Sequence, residues 1–273
     1  MVDLKKPVLL FDFSYYIFYR YYAVRGWYNK AFEKDLVVED TIADEDFISK
    51  YDSTFEKTML EFAKKYKVPL SNIIFARDCP REQIWRIAIY PEYKATRDDK
   101  ASSFNGDIFK HTYNVLFPKL QKQYGIHYLY QDHLEADDIV AVVVDYIRNT
   151  LKSKTDITIV TNDNDYVQLY KYNVRIINLQ KKHLYERIEN VDTYLQIKII
   201  IGDKSDNIKS IGKKIGEKTA QKILNDTTVF DKYMAIEGVS KQYELNKILI
   251  DFLHIPIEHK YSVIELLKVI LKN

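Results

Sequence analysis

Glu135-Ala136-Asp137-Asp138 runs directly into Ile139-Val140-Ala141-Val142-Val143-Val144, and this junction constrains the fold more than any other stretch. An isolated carboxylate costs several kcal/mol to bury even after relaxation. The acids must therefore stand at an edge or neutralise a cation while the apolar run goes inside. A helix starting here would put them in its first turn, where the macrodipole favours negative charge by ~0.3–1 kcal/mol each. That explanation would suffice if acids did not recur where other apolar runs end.

Five runs have the length and composition of buried strands: Pro7–Phe11, Asn72–Arg77, Ile126–Tyr130, Ile157–Thr161 and Val174–Leu179. Helical patterns separate them. Ser14 is the expected cap of a helix over Tyr15–Ala23, and Asp52 or Ser53 of one reaching Tyr66. Pro80–Tyr128 holds at least two helical pieces, and the Glu135 motif starts a helix to about Leu151. Val24–Lys50 is mixed and acidic and reads as a surface excursion. Strands alternating with helices indicate an α/β fold with a mainly parallel central sheet flanked by helices. In such sheets ligands lie beyond the carboxyl ends of the strands. Asp12, Asp78, Glu135, Asp137, Asp138, Asp163 and Asp165 all fall at or just after those ends.

After Asn190 the pattern becomes helical, over Tyr194–Ile201 and near Lys241–Phe252 and Glu258–Leu271. Between the first and second of these, Gly202, Gly212 and Gly216 supply three of the chain's seven glycines. The 47% hydrophobic and 29% charged content of the 273 residues fits a folded chain. No apolar run is long enough for a membrane helix, and the N-terminal one is too short for a signal-peptide core. A single cysteine, Cys79, rules out an internal disulfide framework and makes a soluble, intracellular setting the default. The net charge of +2 conceals segregation, with Lys and Arg gathered in Arg81–Arg97 and Lys209–Lys222.

Carboxylates crowded into one pocket repel each other unless cations are present. An all-oxygen set with no Cys or His beside it selects Mg²⁺, or Mn²⁺ in its place, over zinc. Calcium is a weaker alternative, since there is no contiguous EF-hand loop. Two such ions ~3.5–4 Å apart would activate a water and stabilise the leaving oxygen of a phosphodiester. Lys94 and Arg97 would share a helix face and could reach a scissile phosphate, or simply lie on a solvated face. The turn Ile211–Lys218 resembles a helix-hairpin-helix, which grips a duplex backbone through main-chain N–H groups. Its alternative is an ordinary helix-loop-helix corner. The P-loop spacing is absent.

The whole set resembles the flap endonuclease or 5′-3′ exonuclease family, nearest its bacteriophage ribonuclease H and phage or bacterial 5′-nuclease branch. The resemblance rests on Leu10-Phe11-Asp12, on Phe75-Ala76-Arg77-Asp78 followed by Arg86, and on Tyr90–Arg97. It continues through Glu135–Asp138, Thr161–Asp165 with Gln168-Leu169, and Gly202–Ile208, while Tyr243–Pro256 resembles the phage ribonuclease H tail. It implies a PIN-like 5′-nuclease core forming a single domain over 1–273. A helical arch would occupy about 80–128, a helix-hairpin-helix-type DNA-binding subdomain about 198–225, and C-terminal helices 226–273.

By the same resemblance, Asp12, Asp78, Glu135, Asp137 and Asp138 surround one metal ion. Asp163, Asp165 and Asp206 serve the second, with Asp203 behind them. Lys94 and Arg97 contact the scissile phosphate, so that with Asp137 and Asp163 they carry catalysis, and Tyr93 stacks on the displaced nucleotide. Arg81, Arg86, Gly212, Lys213, Lys214, Gly216, Lys218 and Thr219 complete the expected DNA contacts. The family's hairpin also binds a monovalent cation, K⁺. This chain departs from the family at Lys209-Ser210, where many relatives have Pro-Gly, and in a turn one residue longer before Gly216. Those departures touch the monovalent-ion site and the duplex grip, not the metal centre. No sliding-clamp peptide is evident.

The activity implied is that of a divalent-metal-dependent, structure-specific 5′ nuclease acting on 5′ DNA flaps, junctions or RNA–DNA hybrids. It would act as a monomer among replication proteins, away from membranes. A PIN-type single-strand ribonuclease shares the acidic sheet edge but leaves the arch and hairpin unexplained. A non-cleaving junction-binding protein would lack some of the acids, and none is missing.

Overall fold

In the computed structural model, which describes residues 1–32, 37–96, 104–184, 188 and 190–271, the apolar runs become five strands. They are Val8–Asp12 (β1), Ile73–Arg77 (β2), His127–Tyr130 (β3), Ile157–Val160 (β4) and Arg175–Ile177 (β5). They form one sheet in the order β3-β2-β1-β4-β5, every pairing parallel. In register, Phe11 of β1 lies between Phe75 of β2 and Val160 of β4. The strand order reverses at β1, and a crevice opens there beyond the carboxyl ends of β1 and β4.

The described helices are Phe13–Ala31 (α1), Glu45–Tyr66 (α2), Trp85–Ile89 (α3), Asp107–His111 (α4), Phe117–Tyr124 (α5) and Ala136–Asp145 (α6). Val191–Ile201 (α7), Glu217–Asn225 (α8), Thr227–Met234 (α9), Val239–Ile250 (α10) and Ile257–Ile270 (α11) follow. Alternate strand residues feed two cores. Leu9, Phe11, Ile73 and Phe75 pack with α1, α2 and α5, while Val8, Leu10, Ile74 and Ala76 pack with α6 and α11. Burial on both faces is why the strands read as unbroken apolar runs rather than alternating ones. Each fully buried Phe or Leu contributes about 1.5–3 kcal/mol.

The helix caps named from the sequence differ in two places. The cap of α1 is Asp12 rather than Ser14, its Oδ1 accepting from the Tyr15 N–H at 3.0 Å. The cap of α2 is Asp44, accepting from the Phe47 N–H at 2.8 Å, so this helix begins before Asp52. Much of the expected excursion over Val24–Lys50 is therefore helical: Val24–Ala31 ends α1 and Glu45–Lys50 begins α2. The acids there are explained by position, since Glu45 and Asp46 occupy the first turn of α2, where the macrodipole favours them.

Within the 80–128 segment, Trp85 packs under α6, and Ile108, Leu116, Phe117 and Leu120 pack against the sheet. Its described portion is thus anchored to both cores. Further along the chain, α7 and α8 meet around Ile200, Ile211, Ile215, Ala220 and Ile223. Gly202 makes that corner possible. Its φ is +71°, and a Cβ there would lie 2.4 Å from the Ile208 carbonyl oxygen. The tight return is closed by paired bonds between Asp203 and Ile208, 3.0 and 2.7 Å long. Among the described residues no helix is long and apolar enough to cross a membrane.

Candidate metal centre

The crevice is a cavity of about 550 Å³ lined by Asp12, Asp78, Glu135, Asp137 and Asp163, with Lys94 and Arg81 at its side. Each acid is placed by an element end. Asp12 terminates β1 and caps α1; its Oδ2 accepts from Thr161 Oγ1 at 3.1 Å and the Tyr166 hydroxyl at 3.3 Å. Asp78 follows β2 and accepts from the Ala136 N–H at 2.8 Å, so the start of α6 is tied to the end of β2. Glu135 caps α6, and Asp137 and Asp138 fill its first turn. Asp163 follows β4 and accepts from the Asp165 N–H at 2.9 Å.

Burial and mutual repulsion dominate the electrostatics. Asp12 is pushed up to about 7, chiefly by burial and then by Asp78, with Asp163 adding to it. Asp78 is raised by burial and by Glu135, against hydrogen bonds from Ser14 and Ala136. Asp137 is raised well above the carboxylate range by burial, Asp138 and Glu135. These groups bear more negative charge than their protein surroundings neutralise. A divalent cation would relieve it, and the donor set is entirely oxygen, so the residues fit Mg²⁺ or Mn²⁺.

Arg86, Lys94 and Lys198 offset part of the charge. Arg86, only 2% exposed, donates to both oxygens of fully buried Asp138, at 2.7 and 2.8 Å, and to Glu135 at 3.0 Å. Trp85 Nε1 donates a further bond to Asp138 at 3.0 Å. The Lys94 ammonium is bonded to Glu135 and lies 3.6 Å from Asp206. Lys198, on α7, bonds Asp165 and reaches Asp203 at 2.9 Å. Burial works to raise Asp203, but Lys198 and the Ser205 hydroxyl and N–H hold it below its usual range.

Two subsets have ligand atoms within 4.8 Å of one another: Glu135, Asp137 and Asp138, and separately Asp165, Asp203 and Asp206. Asp138 has both oxygens taken by Arg86, which makes it a holder of the site's floor. Arg86 itself faces inward, leaving no surface for a phosphate. Tyr93 is likewise buried, its single hydroxyl proton shared between Glu135 at 2.9 Å and Asp206 at 3.0 Å. Arg81 lines the crevice and donates to the Lys94 carbonyl. Arg97 lies outside the described residues.

Gly212, Lys213 and Lys214 line a separate cavity with Lys204 and Lys209, beside the α7–α8 corner. Gly216 caps α8, whose first turn carries Lys218 and Thr219. Sequence reasoning missed Thr161, Tyr166, Trp85 and Lys198. The last carried a signal, as the only charge in the apolar run Ile197-Lys198-Ile199-Ile200-Ile201.

The family described as 5′-3′ exonuclease, N-terminal resolvase-like domain, matches residues 7–196. A DNA polymerase I of Caldicellulosiruptor bescii is 27% identical over 186 residues, 63% of this chain but 20% of that protein. The chain thus spans about a fifth of such polymerase relatives. A 5′-3′ exonuclease of Mycoplasmopsis pulmonis is 31% identical over 169 residues, covering 58% of this chain and 53% of that one. The D15 flap endonuclease of bacteriophage T5, solved with DNA and metal ions, aligns over 97% of this chain and 99% of its own. Its TM-score of 0.65 at 16% identity is a likeness of fold, the parallel-sheet, PIN-like 5′-nuclease architecture.

Proposed function

From the fact that this chain belongs to the 5′-3′ exonuclease N-terminal, resolvase-like domain family, we propose that it is a divalent-metal-dependent, structure-specific 5′ nuclease. Its substrates are DNA with 5′ flaps or junctions, or RNA–DNA hybrids. The observation that carries this reading is the convergence of Asp12, Asp78, Asp137 and Asp163 on one crevice, three strand ends and a helix start contributing. Support also comes from the T5 flap endonuclease, whose solved complex contains DNA and metal ions.

Asp12, Asp78, Glu135 and Asp137 would hold one ion, and Asp163, Asp165 and Asp206 a second. When bound, the ions would supply a hydroxide equivalent and stabilise the leaving oxygen. In the hydrolysis a water oxygen bonds to phosphorus and the P–O3′ bond breaks, leaving a 5′-phosphate and a 3′-hydroxyl. Lys94, which lines the crevice, would neutralise the scissile phosphate, with Arg97 beside it. Arg81 and the rest of the 80–128 segment would form an arch over the 5′ strand. Lys213, Lys214, Lys218 and the backbone at Gly212 and Gly216 would hold the duplex, with K⁺ at that turn. Association with replication proteins, and action as a monomer, belong to the same proposal.

The test is cleavage of a 5′-labelled flap, a nicked duplex and an RNA-primed duplex in Mg²⁺ or EDTA. EDTA and Asp137→Asn abolish cutting, and Lys94→Ala slows it by about 10²–10³-fold with a milder loss of binding. Binding weakens steeply with salt, as release of counterions from the phosphates requires. Cleavage that persists in EDTA contradicts the reading.

A further inference from the structure

Lys198 is the one charged side chain that α7 places among Ile197, Ile199, Ile200 and Ile201. Ile199 and Ile200 are fully buried in different clusters, so the helix cannot shift to withdraw the lysine. Its ammonium bonds Asp165 and lies 2.9 Å from Asp203, inside a group of acids whose oxygens approach one another within 4.8 Å. An ammonium there already supplies part of what a metal ion would. Like charges at this separation repel, and both cations need the same carboxylate oxygens.

Lys94 stands between the two acidic groups, on Glu135 and 3.6 Å from Asp206, and so bears on both. Lys198 bears on Asp165 and Asp203, both in the second group. Arg86, by contrast, holds Asp138 from beneath the crevice, while Asp12, Asp78 and Asp137 line the cavity. We propose that Lys198 is a built-in counter-cation that competes with a divalent ion for Asp165 and Asp203, making this group the weaker of two metal sites. The inference rests on the metal-dependent reading above. A divalent ion fills the second group by displacing the ammonium, so the site stays charge-balanced when the metal is scarce. The side chain moves; the helix does not.

The test is calorimetric titration of Mn²⁺ into the chelator-treated full chain, comparing wild type, Lys198→Met and Lys198→Arg. The wild type shows a tighter and a weaker class of site. In Lys198→Met the weaker class tightens by about tenfold, since a competing charge is gone, and the tighter changes by less than about twofold. Lys198→Arg keeps the wild-type pattern. A weaker class that is unchanged or loosened in Lys198→Met overturns the proposal while leaving the metal reading intact. No Mn²⁺ binding by wild type or either variant overturns both. A second readout needs no variant: acetylation of Lys198 by an amine-reactive reagent, followed by mass spectrometry, rises as Mn²⁺ fills the weaker class. Unchanged reactivity overturns the proposal even if Lys198→Met fails to fold.

Discussion

Asp12, Asp78 and Asp137, packed at the strand ends and the start of α6, are pushed toward the neutral form, whereas Asp203, just beyond α7, is held ionised below its usual range. Both sets are acidic and both face a proposed metal. What differs is the partner. At the sheet end Arg86 is spent on Asp138 and Glu135 and Lys94 on Glu135, and Asp12, Asp78 and Asp137 mainly see one another. On the helical side Lys198 sits directly between Asp165 and Asp203. The lesson is that counting carboxylates does not define a metal site; where each cation sits decides how much charge is left to bind an ion.

The largest test of that contrast is removal of each cation. Arg86→Met leaves Asp138 and Glu135 buried without their partner and lowers stability by about 3–5 kcal/mol, read by denaturant unfolding. Lys198→Met, at the better-solvated group, costs about 1–2 kcal/mol. Equal losses would erase the distinction between the two regions. An effect smaller than that of Arg86→Met is expected at the corner that positions the second group. Gly202→Ala forces a Cβ against the Ile208 carbonyl at a positive φ, costing about 1–3 kcal/mol and loosening Asp203 and Asp206. At Gly216 an added carbon meets nothing within 4 Å, and the change stays below about 0.5 kcal/mol.

An independent test is the dependence of melting temperature on pH in chelated protein. Asp12 is raised from 3.8 to about 7, so the folded state binds more protons than the unfolded chain between those values. Its contribution is fully present below 3.8 and is lost as pH rises through about 7; the melting temperature therefore falls across that window. Asp203 works the other way, its contribution being present above 3.8 and lost only as pH falls through its lowered pKa. Asp12→Asn should flatten the slope between about pH 4 and 7, and Asp203→Asn should leave it. A slope that survives Asp12→Asn assigns it to other groups.

The sheet was legible in the chain because strands buried on both faces cannot alternate, and Pro7–Phe11 and Ile157–Thr161 match β1 and β4 to within a residue at each end. The beginning of α2 was not, since Asp44 looks like one more surface acid until its side chain is seen capping Phe47. The acids of the crevice could be read from where strands stop. The inward turn of Arg86 and Tyr93 could not, because spacing along a chain does not show that a buried Asp138 requires a guanidinium or that Glu135 and Asp206 share a phenol. Lys198 was hidden for the opposite reason: a lone lysine in an apolar helix gives no hint of which distant carboxylates it meets.

The central claim is that this crevice holds two divalent ions, and a crystal soaked in Mn²⁺, with ions located by anomalous scattering, tests it most directly. The account predicts one ion among Asp12, Asp78 and Asp137, and a second, appearing at higher concentration, among Asp163, Asp165 and Asp206. Ions found only elsewhere on the surface, with the crevice empty at saturating Mn²⁺, would contradict it.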